Sequence, residues 1–164
     1  MNDAAPWLAP VLTALQSWPG SLWLQRSGTA YLLVNAAHIL GLGLLFGSIA
    51  LLDGRLLRAR VGADLPWLAR SVPRVAGAGL ALAVTTGLWL FSVRPQEYLG
   101  NAAFVVKMGL LSLAIVNVAW QHRSAHWSRL EAGAVLPAAV RLRAAASLLL
   151  WTGVVVAGRW IGFL

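Results

Sequence analysis

The chain has 164 residues, 59% of them hydrophobic and only 11% charged, with a formal charge of +8 and a mean hydropathy of +0.73. Soluble globular domains carry about a quarter charged residues, so this composition belongs to a protein that lives in lipid, with room for one domain. Cysteine is absent, which removes disulfides, thiolate metal sites, iron–sulfur clusters and cysteine nucleophiles, and only Met1 and Met108 could offer a thioether.

In chain order, the first 28 residues come before any long apolar run. Pro6, Pro10, Pro19 and Gly20 interrupt them, and they lack the basic start of a cleavable signal peptide. The stretch from Pro10 to Leu24, with Trp18 and Trp23, is too short and too broken to cross a bilayer. It is expected to lie in the outer interface, where indole rings prefer to sit. Residues 29–164 then form the transmembrane domain, with apolar runs at about 29–52, 75–93, 102–121 and 144–164. Each reaches the roughly 20 residues a helix needs to cross the hydrocarbon core. The fold class that follows is all-α: an integral membrane four-helix bundle with a short N-terminal interfacial segment.

Arginines set the orientation. Arg55, Arg58, Arg60, Arg70 and Arg74 lie between runs one and two, and Arg123, Arg129, Arg141 and Arg143 between runs three and four. The other side has Arg26 and Arg94 in its flanks. That bias places the arginine-rich loops in the cytoplasm and both termini outside a bacterial inner membrane. It also explains the positive charge as a topogenic signal, so the lipid bilayer and not nucleic acid is the expected partner. A homo-oligomer and a periplasmic redox or metal-binding partner both remain compatible with the sequence.

Between the runs, Pro66 and Pro73 are expected to bracket a short cytoplasmic segment, and Arg94-Pro95-Gln96-Glu97-Tyr98 to make a tight outer turn. Gly43 and Gly47 on the first span, with Gly77 and Gly79 on the second, are expected to permit close helix approach. Asp53-Gly54-Arg55 reads as a charge pair at the end of the first span. Thr85 and Thr86 are expected to bond back to their own helix carbonyls.

Ionisable groups inside spans are costly and carry the functional hypothesis. His38 lies about nine residues into the first span, ~13 Å deep, while Lys107 and Arg159 are each ~8 Å from the outer boundary on the third and fourth spans. With Asn35, and with Glu97 and Tyr98 from the outer turn, they would form a net cationic pocket in the outer half. Such a pocket suits an anionic ligand, whether haem propionates, a carboxylate or phosphate, or a reduced quinone, with His38 as axial metal ligand or proton carrier. The plainer reading has Lys107 and Arg159 snorkelling to headgroups and His38 bonded to a neighbouring helix. His122 and His126 lie ~20 Å or more from His38, so they are an interfacial loop or a separate second site. No Walker loop, HExxH, GxSxG or dinucleotide fingerprint is present.

Several short motifs carry a family resemblance. His38-Ile-Leu-Gly-Leu-Gly-Leu-Leu-Phe-Gly47, Thr86-Gly87, and Tyr98 through Lys107 followed by Asn117 resemble the core helices of CopD-type copper-resistance membrane domains. Gly158-Arg159-Trp160 resembles the closing motif of an uncharacterised bacterial family of four-span proteins. The pairing of His38 with Lys107 resembles that of the HemJ-type protoporphyrinogen oxidases. The HemJ-like pairing implies haem b and an oxidase or electron-transfer role; the CopD-like motifs imply copper handling or transport with His38 as ligand. A membrane anchor subunit without chemistry is the third class.

Overall fold

The computed structural model describes residues 7–58, 65–124, 127 and 137–163. Their regular structure is helical: α1 (Ala9–Ser17), α2 (Pro19–Arg26), α3 (Gly28–Leu57), α4 (Leu65–Val93), α5 (Pro95–Gly100), α6 (Ala102–Arg123) and α7 (Ala138–Trp160), closed by a 3-10 turn at Ile161–Phe163. Four of these helices, α3, α4, α6 and α7 with its closing turn, are long and apolar enough to cross a membrane. The protein is a multi-pass helical membrane bundle. Large apolar side chains such as Leu40 (70% exposed) and Leu149 (76%) point outward. That is the pattern of a bundle solvated by acyl chains rather than water.

Helix ends explain where the spans stop. Ser27 caps α3 by accepting from the Ala30 amide, and Asn101 caps α6 by accepting from Ala103 and Phe104. The Asn101 Nδ2 donates to the Ile161 carbonyl, which ties the start of α6 to the end of α7. Asn101→Ala is therefore expected to cost ~1–2 kcal/mol through the lost cap, read as a lower melting temperature in detergent.

The helices outrun the apolar stretches. α4 starts at Leu65, so Pro66 and Pro73 belong to a span and do not bracket a separate segment. Pro66 sits in the first turn, where its missing N–H would have had no partner. The Arg94–Tyr98 stretch is not a tight turn, since Pro95 starts the short helix α5. Hydropathy marks where lipid begins, whereas hydrogen bonding carries each helix on into the interface.

α3 packs along α4, α6 along α7, and the two hairpins meet where α3 lies on α7. α4 and α6 make no extensive contact with each other, so the bundle is open between them. Its tightest crossing joins Gly41 to Gly79. A Cβ on Gly79 would lie 2.6 Å from the Leu45 amide nitrogen, and one on Gly41 would lie 2.8 Å from that of Ala83. Gly43, Gly47 and Gly77, by contrast, have nothing within 4 Å of an added Cβ. Of the glycines expected to serve close approach, only Gly79 does so, and its partner is Gly41. The four-residue spacing at 43 and 47 faces open space.

Around the end that bears the termini, α1 and α2 fold over α4. Trp18 Nε1 donates to Ser92 Oγ (3.1 Å), Ser21 Oγ to the Ser92 carbonyl (2.8 Å), and Trp89 Nε1 to the Gly20 carbonyl (3.0 Å). Trp18 and Trp23 lie against Trp89, at 6.2 and 5.8 Å between ring centroids. In mid-bundle, Leu45, Ile49, Ala114 and Trp151 form an apolar layer with Phe46, Leu80, Leu111 and Leu148 packed around it. The opposite, arginine-rich end is filled by Leu52, Leu56, Leu68, Val72, Trp127 and Val140.

Candidate functional site

On the terminus-bearing side of the apolar layer lies a cavity of about 650 Å³ whose lining includes Asn35, His38, Tyr98, Lys107 and Arg159. Four elements deliver these side chains to one space: α3, α5, α6 and α7. The volume falls within the ~300–1,000 Å³ of small-molecule and cofactor sites. Phe46, Leu90, Phe91, Phe104 and Val154 make the walls apolar.

His38 is fixed from α4. Its Nδ1 lies 2.9 Å from the Ala83 carbonyl oxygen and 3.1 Å from Thr86 Oγ1. The Thr86 hydroxyl itself donates to the Leu82 carbonyl at 2.6 Å. A carbonyl can only accept, so the bond requires the proton on Nδ1 of the neutral imidazole. The other ring nitrogen, Nε2, is then an unprotonated lone pair, with no hydrogen bond from the described residues. Gly87 makes room for the ring: a Cβ there would come within 2.9 Å of His38 Cε1. Thr86 thus does more than bond back to its own helix, because it helps hold the imidazole. Thr85 is exposed and does not join it.

Lys107 rests over Gly158, where an added Cβ would be 3.6 Å from Nζ and 3.5 Å from Cε. Arg159, the next residue along α7, lies at the rim. Its guanidinium stacks over the Phe163 ring at 4.7 Å, turned toward the terminus-bearing end. Tyr98 belongs to an aromatic cluster with Phe91 and Phe104, whose rings are stacked at 5.5 Å. Burial, and then the Tyr31 hydroxyl bonded to it, push the Tyr98 phenol up to about 12, so it stays a neutral hydroxyl at physiological pH. Asn35 borders the cavity from an exposed position on α3.

Glu97 is not brought into this space. It pairs with Arg94 at 3.3 Å on an exposed surface and lines a wider vestibule, which shares Tyr31, Tyr98 and Ile161 with the cavity. Without that carboxylate the cavity is cationic, with Lys107 inside and Arg159 at its mouth. His122 is at the far end of α6, stacked on Trp127 at 4.3 Å, and His126 lies outside the described residues. No cluster of three or more His, Cys, Asp or Glu side chains able to hold a metal ion occurs among the described residues.

At the arginine-rich end the structure shows what the sequence did not suggest. Asp53 does not close α3 as an exposed charge pair. It is buried and its carboxyl is hydrogen-bonded to Ser147 of α7. Arg143 belongs to the second turn of α7, with its guanidinium 4.6 Å above the Trp120 ring.

No curated relative and no solved structure matches the chain. A family model does match residues 16–164, a span that takes in all four membrane-crossing helices and every residue of the His38 cavity; the protein belongs to the family of unknown function (DUF6644).

Proposed function

We propose that the His38 cavity binds haem b or a quinone-like redox molecule, and that the protein is an electron-transfer or oxidase component of a bacterial inner membrane with its termini outside. The observation that carries this reading is the bond from His38 Nδ1 to the Ala83 carbonyl. Metal-binding imidazoles are commonly fixed in this way, with one nitrogen spent on a backbone oxygen and the other free for the metal. Apolar walls and a cationic mouth fit a macrocycle bearing carboxylates: Lys107 and Arg159 are the cations available to its propionates. Haem would supply one-electron chemistry when bound. His38 would hold the iron, Lys107 and Arg159 would orient and neutralise the propionates, and the aromatic cluster would keep water from the ring.

The donor set favours haem over copper. Among the described residues His38 is the one imidazole lining the cavity, and Met108 is not part of the lining. The arginine-rich loops support the orientation through the positive-inside rule.

Detergent-purified protein, titrated with haemin under reducing conditions, should develop a Soret band that saturates at one haem per chain. Lys107→Met should weaken that binding about ten- to hundredfold, as expected for loss of a charge-assisted bond of ~1.5–3 kcal/mol. A flat spectrum after reconstitution removes the haem reading.

A further inference from the structure

We infer that a second cavity, at the arginine-rich end, binds the headgroup of a quinone or quinol drawn from the bilayer. This cavity, about 380 Å³, lies across the apolar layer from His38 and does not depend on what His38 binds. Among its lining residues are Asp53, Gln121, Arg143 and Trp151. Each of the four has a buried polar atom with no hydrogen-bond partner among the described residues: Asp53 Oδ2, Gln121 Oε1, Arg143 Nη1 and Trp151 Nε1. Asp53, Gln121 and Trp151 are 8%, 7% and 3% exposed, so their orphan atoms are not solvated at a surface. Buried polar atoms left unmatched are costly, and four around one space call for an occupant.

Two of these side chains, and the backbone at Arg143, are held from behind. The Asp53 carboxyl bonds Ser147, Gln121 Nε2 donates to the Val140 carbonyl at 3.4 Å, and Asn117 Nδ2 donates to the Arg143 carbonyl at 3.1 Å. What remains for an occupant is two acceptors, on Asp53 and Gln121, and two donors, on Arg143 and Trp151. One carboxyl and one guanidinium leave the cavity near charge balance. A cation would meet Arg143 and an anion would meet Asp53, so a neutral molecule fits best. It must bring acceptors for the two donors, or donors for the two acceptors. A quinone has two carbonyls for the indole and guanidinium N–H groups, and its quinol has two hydroxyls for the carboxylate and the amide oxygen.

Much of the remaining wall is aliphatic, from Leu45, Ile49, Leu52, Val72 and Ile115, and suits an apolar ring, while Ser48, Asn117 and the His122 and Trp127 rings complete it. Access from lipid is open where α4 and α6 fail to pack. Gly77 and Ile115, both exposed, border the cavity on that side.

The test uses the full chain in nanodiscs of quinone-free phosphatidylcholine, titrated by calorimetry with a benzoquinone carrying one isoprene unit, and anaerobically with its quinol. Saturable binding of one molecule per chain is expected for both forms. Trp151→Phe should weaken the quinone about tenfold and the quinol less than about twofold, because it removes a donor and keeps an aromatic plane. Gln121→Met should do the reverse, and either variant alone decides the matter. Absence of saturable heat would mean a cavity filled only by water and would overturn the proposal. Binding that falls with His38→Ala but not with these two variants would assign the molecule to the other cavity and overturn it equally. A missing Soret band bears only on His38 and leaves this titration unaffected.

Discussion

Gly79→Val is expected to abolish the folded bundle or to lower its melting temperature in detergent by more than about 10 °C. A Cβ at this position would sit 2.6 Å from the Leu45 nitrogen, 2.9 Å from the Gly41 oxygen and 3.1 Å from the Leu45 Cα. All three neighbours are backbone, so no side chain can swing aside. Overpacking in cores generally costs 1–3 kcal/mol, and here α3 and α4 must separate along their most extensive contact, which puts the cost at ~3 kcal/mol or more. Gly43→Ala, Gly47→Ala and Gly77→Ala are the controls. With open space around each Cβ, they should change stability by less than ~0.5 kcal/mol or gain slightly from alanine's better helix propensity. Thermal unfolding of the four variants side by side checks the contrast.

The second large effect concerns ligand binding more than stability. Gly87→Ala puts a methyl group 2.9 Å from His38 Cε1 and 3.4 Å from Nδ1. The imidazole is pinned by the Ala83 carbonyl at Nδ1, beside the clash, and must give up that bond or tilt the ring, Nε2 with it. Haemin affinity should fall at least about tenfold, while the fold survives with a loss of roughly 1–3 kcal/mol. His38→Ala should abolish the Soret band altogether. Gly158→Ala provides the comparison, because its Cβ meets Lys107 at an ordinary 3.5 Å and should leave the titration within about twofold of the parent. If Gly87→Ala binds haemin as well as Gly158→Ala does, the orientation of the imidazole is irrelevant and His38 is not the ligand.

Much of the bundle could be read directly from the residues, because membrane spans announce themselves by length and apolarity. His38 and Lys107 were legible for the same reason: a titratable side chain inside an apolar run stands out. Rotation about a helix axis was not legible. α3 is apolar on every side, so nothing in the sequence separates Gly41, which touches α4, from Gly43 and Gly47, which do not. Asp53 and Arg143 were missed for a complementary reason. Charges near a span boundary look like ordinary interfacial residues. Only the extra turns at the start of α4 and α7 show that the bundle continues around them. Thr86 looked self-satisfied within its helix until α3 placed an imidazole against its hydroxyl. Glu97 was drawn toward the cavity by sequence proximity to Tyr98, but Pro95 winds that stretch into a helix that turns the carboxylate to Arg94.

The mid-bundle layer of Leu45, Phe46, Leu80, Leu111 and Trp151 contains no titratable side chain. Protons have no group there on which to step, so the layer is a dry partition between the two cavities. Under the redox function proposed above, an electron passing between the two cavities would exchange at most ~2.3 kcal/mol per 100 mV of membrane potential.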